Sequence, residues 1–231
     1  MELNAFWQEM HNRVSKYDLL CHPFYQAWSE GTLTREDLRA YSANYYHHVA
    51  AFPTYLGSFY GRLPEGELRR AVLENLADEE GLQGTRPHNE MWLDFAEGMG
   101  ANRDAVRNSE PLAEIAGLVE HFKRTACEAS AAEALASFYA YESQVPRVAT
   151  EKARGLREMY GADSKTCGYF TLHTTADVHH SNVWREQLSK VFENDDDAAQ
   201  ERALVAAENA ARSLWRALDG VERERQQRKA A

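Results

Sequence analysis

Cysteine is scarce in this chain. Three residues in 231, Cys21, Cys127 and Cys167, are too widely spaced for a zinc pattern and give no disulfide framework. Long hydrophobic runs are missing as well. No stretch approaches the length of a membrane-crossing helix, and Met1 to Tyr17 is too polar for a signal peptide, so a cytoplasmic protein with no membrane partner is expected. Positive charge is in short supply: 26 Lys and Arg stand against 36 Asp and Glu, a net charge of −10. That balance disfavours nucleic acid as a partner, since only Arg223 to Lys229 is basic. Phosphate-cradling glycine loops, internal repeats and convincing strands are all absent.

What remains is a helical, globular composition with 44% hydrophobic and 27% charged residues. One domain over residues 1–231 is expected, with about 221–231 as a flexible basic tail. Leu3, Phe6, Trp7, Met10 and Val14 recur at helical spacing. His11 lies close to that face and is read as a rim histidine or as an axial haem ligand. Thr34 and Asp37 open a tyrosine-rich helix that runs to Pro53 and carries Tyr41, Tyr45, His47 and His48. A helix from Glu65 to Glu80 should bury Leu68, Val72, Leu73 and Leu76. It ends in Asp78-Glu79-Glu80, at the end where the helix dipole disfavours acids, which suggests a positive partner. His88, after Pro87, begins the next helix. Glu142 sits inside an aromatic run where an unpaired carboxylate would be costly. Pro146 then forces a kink before the segment that carries Lys152. Asp195-Asp196-Asp197 suits the N-terminus of a last helix, Ala198 to Leu218.

The stretch from Tyr169 to His180 carries the strongest chemical pattern. It contains neither Pro nor Gly and is expected as one helix, which would align His173, Asp177 and His180 on one face. Two imidazoles and a carboxylate in a line form half of a site suited to iron or manganese, or else three polar residues on a solvated face. Joined with Glu79, His88 and Glu142, they give three carboxylates and three imidazoles. The expected fold is all-α, a bundle of seven or eight helices around a dinuclear metal core.

Several longer motifs run through the chain: Phe24-Tyr25-x-x-Trp28-Ser29-x-Gly31, Ala51-Phe52-Pro53-x-Tyr55-Leu56, Asn75-Leu76-x-Asp78-Glu79-Glu80-Gly81, Tyr141-Glu142-Ser143-Gln144-x-Pro146-Arg147, Glu151-Lys152-x-Arg154-Gly155 and Tyr169-Phe170-Thr171-x-His173-x-x-Ala176-Asp177-Val178-x-His180. In these the chain resembles the haem-oxygenase-like di-iron oxidases, in the branch of the Chlamydia protein associating with death domains and its bacterial relatives, neighbours of the TenA and PqqC proteins. The resemblance implies a para-aminobenzoate synthase serving folate biosynthesis. Two divalent ions (Fe/Fe or Mn/Fe) would activate O2 with an external reductant. It also implies that a tyrosine of the protein supplies the aromatic ring, Tyr25 or alternatively Tyr41, and that Lys152 supplies the amino group. Tyr141, next to Glu142, is a further catalytic candidate. The loop between Glu79 and His88 is longer than in the family, which leaves Glu80 as an alternative to Glu79. A homodimer is expected. Two other readings compete: a di-iron oxygenase acting on an external small aromatic or amino-acid substrate, and a non-enzymatic interaction protein.

Overall fold

Every regular element of the computed structural model, which describes residues 1–82, 84, 86–192 and 197–230, is helical. In chain order these are α1 (Leu3–Ser15), a 3-10 turn (Leu19–Cys21), α2 (Pro23–Ser29), α3 (Arg35–Arg62), α4 (Glu67–Glu79), α5 (His88–Gly98), α6 (Arg103–Arg107), α7 (Ala113–Glu128), α8 (Ala131–Glu142), α9 (Val145–Glu158), α10 (Gly168–His173), α11 (Ala176–Val191) and α12 (Asp197–Ala230). The described segments outnumber the seven or eight expected because α8 is separated from α9 at Ser143-Gln144, α10 from α11 at Thr174-Thr175, and α2 and α6 are short helices of 7 and 5 residues. Asp195 and Asp196 lie outside the described residues. Asp197 is the first residue of α12.

Two groups of helices meet along α7 and α8. α3 packs against α4, α5 and α7, while α8 packs against α11 and α12. Small side chains let α8 and α12 lie close: Ala132, Ala134, Ala136 and Ala140 on one helix and Ala203, Ala207, Ala210 and Ala211 on the other are buried. The N-terminus of α8 is fixed by a capping box between Ser130 and Glu133, and that of α3 by Thr34 and Asp37 as expected.

Four expectations give way here. α3 does not end at Pro53 but runs through it to Arg62, because Tyr55, Leu56 and Phe59 continue its buried face in register. On α4, Leu73 is exposed, and the inward face is Ala71, Val72, Asn75 and Glu79. That face is partly polar, which an apolar stripe could not reveal. The stretch from Tyr169 to His180 is two helices, not one. Finally, residues 221–230 are not a loose tail but the last turns of α12. Val221 and Arg225 are buried, Arg225 bonds Glu222, and Arg228 reaches Asp37 at the start of α3.

Candidate metal centre

Five helices bring the six sequence-derived residues into one buried region. α4 contributes Glu79 on its last turn, α5 contributes His88 as its first residue, α8 contributes Glu142 as its last, α10 ends on His173, and α11 contributes Asp177 and His180. None of the six is more than 6% exposed. Glu80, the alternative, is exposed. The tight turn after α4 needs Gly81, which has φ +72°, and a Cβ there would meet the Pro87 nitrogen at 2.6 Å. That close approach brings His88 back to Glu79, with Nδ1 2.9 Å from Oε2.

Ligand-capable atoms of Glu79, His88 and His173 lie within 4.8 Å of one another, and so do those of Glu79, Glu142 and His180. Glu79 belongs to both triplets and would serve both if each held an ion. Asp177 is in neither triplet; its Oδ1 is 3.5 Å from His180 Nδ1, and it lines the same small cavity as Glu79, Glu142 and His173.

Neighbours orient the donors. His173 Nδ1 lies 2.7 Å from the Tyr169 carbonyl, and Tyr169 stacks on its ring at 4.0 Å. An Nδ1–H donated to that carbonyl leaves Nε2 with its lone pair free. Glu142 accepts from Asn75 Nδ2 at 3.2 Å and from the Trp184 indole N–H. His180 Nε2 is 3.2 Å from Asp78 Oδ2. Asn75 and Trp184 are not singled out by the sequence, whereas Asp78 is one of the three acids expected to need a positive partner. Asn75 stands unassigned in the α4 motif, and Trp184 falls one turn past His180 on the same face of α11.

Burial and crowding of like charge set the electrostatics. Burial pushes the Glu142 carboxyl up to about 8. Burial alone would lower His180, but the Asp177 and Asp78 carboxylates hold it up at about 11. Burial likewise opposes a charge on Glu79 and on His88, yet their mutual attraction lowers Glu79 and raises His88. His88 Nε2 and Asp177 Oδ2 are buried without a hydrogen bond, and His88 Nδ1 and His180 Nδ1 face Glu79 and Asp177 in ion pairs alone. Buried polar atoms of this kind are costly unless something charged or polar meets them. Three imidazoles and three carboxylates with lone pairs to spare fit a pair of iron or manganese ions.

Beside this region lies a second pocket, and Tyr141 and Tyr169 line both. In it the buried Lys152 Nζ donates to Tyr25 Oη at 2.7 Å and to Tyr41 Oη at 2.6 Å, and the two hydroxyls are 2.9 Å apart. Burial lowers Lys152 well below its ordinary value and raises Tyr25 and Tyr41 well above theirs. Trp28 closes one side by laying its indole on Gly155, where a Cβ would come within 2.8 Å of Cδ1. Its N–H bonds the Lys152 carbonyl at 3.3 Å.

The other histidines fall elsewhere. His11 is exposed, His47 bonds Ser109 at 3.1 Å, and His48 is enclosed by Tyr45, Phe52, Tyr55, Phe122 and Tyr141. All three cysteines are free, and no described helix is long and apolar enough to cross a membrane.

Comparison with known proteins gives a consistent picture. A family model described as an iron-containing redox enzyme matches residues 39–215. The chain is 34% identical to the 4-aminobenzoate synthase of Chlamydia pneumoniae, over 90% of this chain and 92% of that protein. It is 35% identical to the 4-aminobenzoate synthase of Nitrosomonas europaea, over 96% and 92%. A solved domain with a haem-oxygenase-like fold from Shewanella denitrificans superposes with a TM-score of 0.82 at 19% identity, covering 99% of this chain and 95% of that one; at that identity the likeness speaks for the fold alone. An all-helical bundle with a buried nitrogen and oxygen donor set, matched over most of its length by such relatives, belongs to the haem-oxygenase-like family of iron-containing redox enzymes and is an oxidase or oxygenase.

Proposed function

We propose that this chain is a 4-aminobenzoate synthase that draws the aromatic ring from its own Tyr25 and the nitrogen from Lys152, with Glu79, His88, Glu142, His173, Asp177 and His180 holding two metal ions. The names of its relatives supply the product. The observation that carries the self-substrate reading is the contact of Lys152 with the tyrosine pair. Nζ sits 4.2 Å from the centroid of the Tyr25 ring and has two oxygen acceptors, Tyr25 and Tyr41. An ammonium has three N–H groups to satisfy and an amine two. Two acceptors in a buried pocket therefore match the neutral amine, which keeps a lone pair for attack. Burial keeps both phenols protonated, so neither offers Lys152 a full negative charge.

Iron or an iron–manganese pair, when bound, would supply oxidising power from O2 with electrons from an external reductant. This chain's residues do the rest. Tyr141 and Tyr169 line both the donor-set cavity and the Lys152 pocket, and Tyr25 itself is 3% exposed, which keeps bulk water from its ring. The Tyr25–Tyr41 hydrogen bond fixes the ring and offers its phenolic proton an acceptor.

The alternative of an external aromatic substrate has the size of this pocket against it. The space beside Lys152 is about 30 Å³. A cavity that holds benzene is on the order of 150 Å³. The deciding experiment uses protein grown with ring-labelled tyrosine and incubated with iron, O2 and reductant. Labelled 4-aminobenzoate is expected; unlabelled product from fully labelled protein would overturn the self-substrate reading.

A further inference from the structure

A solvent-open groove of about 350 Å³ lies between α4 and α11 and shares no lining residue with the two inner cavities. Asn75, Asp78 and His180 line it, and each also reaches the buried donors. Asn75 donates to Glu142, and its own Oδ1 is buried with no hydrogen bond although the residue is only 4% exposed. His180 spans the wall: Nε2 meets the half-buried Asp78 on the groove side, while Nδ1, which makes no hydrogen bond, lies within ion-pair reach of Asp177 at 3.5 Å and of Glu142 at 4.0 Å on the inner side. Exposed Glu74 and His179 stand at the rim.

We propose that this groove is the route by which a divalent cation reaches and leaves the buried centre, with Asp78 as the first anionic contact and His180 as the residue that passes the ion inward. The inference rests on the reading that the six residues bind metal. A hydrated dication cannot cross apolar wall without exchanging its waters for other donors, since an unpaired charge in low dielectric is strongly disfavoured. The inner cavities offer no such series of donors leading in from solvent: beyond Glu79, Glu142, His173 and Asp177 themselves, one is lined by Val49, Phe52, Tyr141 and Tyr169, and the other by aromatic and aliphatic side chains around Lys152. The groove instead offers carboxylate, amide and imidazole in sequence. A half-exposed carboxylate with low-dielectric walls behind it also concentrates cations at the mouth.

Rates of metal exchange test this, because a residue on the route acts on both directions alike, whereas one that only props up a ligand weakens the final complex. Manganese(II) uptake by metal-depleted full-length chain would be followed by loss of the free-ion paramagnetic resonance signal, and release from loaded chain by transfer to a chelator. In Asp78→Asn both rates are expected to fall, uptake by about tenfold or more and release by less, because the lost contact to His180 also weakens the complex. Val183→Trp narrows the same groove without removing a charge and is expected to slow both rates too. Faster release with weaker affinity in Asp78→Asn would make Asp78 only a support for His180 and overturn the route. So would unchanged rates in Val183→Trp. Failure of the unsubstituted chain to take up manganese(II) or iron(II) would instead overturn the metal-binding reading itself, a result distinct from a loaded chain with unaltered rates.

Discussion

Replacing Lys152 with Met should make the protein more stable, and the gain should shrink as pH rises. The side chain is 5% exposed, and burial lowers its pKa well below the ordinary 10.5. The sign follows from proton counting. Between the folded and the unfolded pKa the unfolded chain binds more protons, so the native protein gains stability as pH climbs through that window. Below the window the cost of burying a lysine is felt in full, and above the unfolded value it is gone. Met has similar length and no charge to desolvate. It forfeits two hydrogen bonds, each worth about 0.5–1.5 kcal/mol net, but the Tyr25–Tyr41 bond survives its loss. Exchanging a buried ionisable group for a well-packed apolar one commonly gains about 1–4 kcal/mol. A net gain of roughly 1–3 kcal/mol corresponds to a rise in Tm of about 2–10 °C for a chain of this length. Melting curves of both proteins at about pH 7 and about pH 9.5 provide the comparison, with the difference between variant and parent cancelling every other titration. If Lys152→Met melts lower than the parent at neutral pH, or if the difference is the same at both pH values, Lys152 is a charged and well-compensated residue in the fold. The neutral-amine argument would then fail.

Glu79→Ala should remove metal from both positions, because Glu79 belongs to both ligand triplets, whereas His173→Ala should leave one position partly loaded; metal analysis after reconstitution distinguishes the two, and equal retention in both variants would dismiss Glu79 as the shared ligand. Trp184→Phe keeps the packing of an aromatic but removes the N–H donated to Glu142; loss of such a supporting contact should weaken metal affinity about 10–100-fold, read by competition with a chelator. Gly155→Ala should push Trp28 off its seat and destabilise the fold by about 1–3 kcal/mol, seen in thermal melting together with reduced product; an unchanged melting temperature would mean that the indole relaxes freely.

How much of this was legible in the sequence depended on whether the deciding force was local. Glu142 in an aromatic run and the break before Pro146 follow from rules a few residues long, and both hold in the structure. The same kind of rule misjudged Pro53, because the cost of one lost backbone bond is outweighed by Tyr55, Leu56 and Phe59 burying in register beyond it. The interruption at Thr174-Thr175 carries no Pro or Gly to announce it. Yet His173, Asp177 and His180 all remain buried, since the short break still lets both helix ends face the donor region. Leu73 and Asn75 show the limit of hydrophobic periodicity: α4 turns a polar edge inward because Glu142 and His180 lie across from it, and nothing within α4 encodes that. Arg225 shows the same limit from the other side. Its charge suggests a solvated tail, but its stem is buried and its guanidinium is held by Glu222.

The least local feature is the meeting of the amine pocket with the donor set. On a straight helix Lys152 would lie about 15 Å beyond Glu142, out of reach of anything Glu142 touches. The chain turns a corner instead. α8 stops at Glu142 and α9 starts at Val145, with Pro146 in its first turn, where a missing N–H costs nothing. Gln144 pins the corner from inside: its Oε1 accepts from Leu19 N at 3.1 Å, and its Nε2 donates to the Ala140 carbonyl at 3.2 Å. Leu19 opens the segment that leads to Tyr25 and also lines the Lys152 pocket. One buried amide therefore ties together the helix that ends on Glu142, the helix that carries Lys152 and the segment that carries Tyr25. The three residues need not be near one another in sequence, because the corner sets their separation. A change at Gln144 should therefore disturb the Lys152–Tyr25 contact before it disturbs either helix.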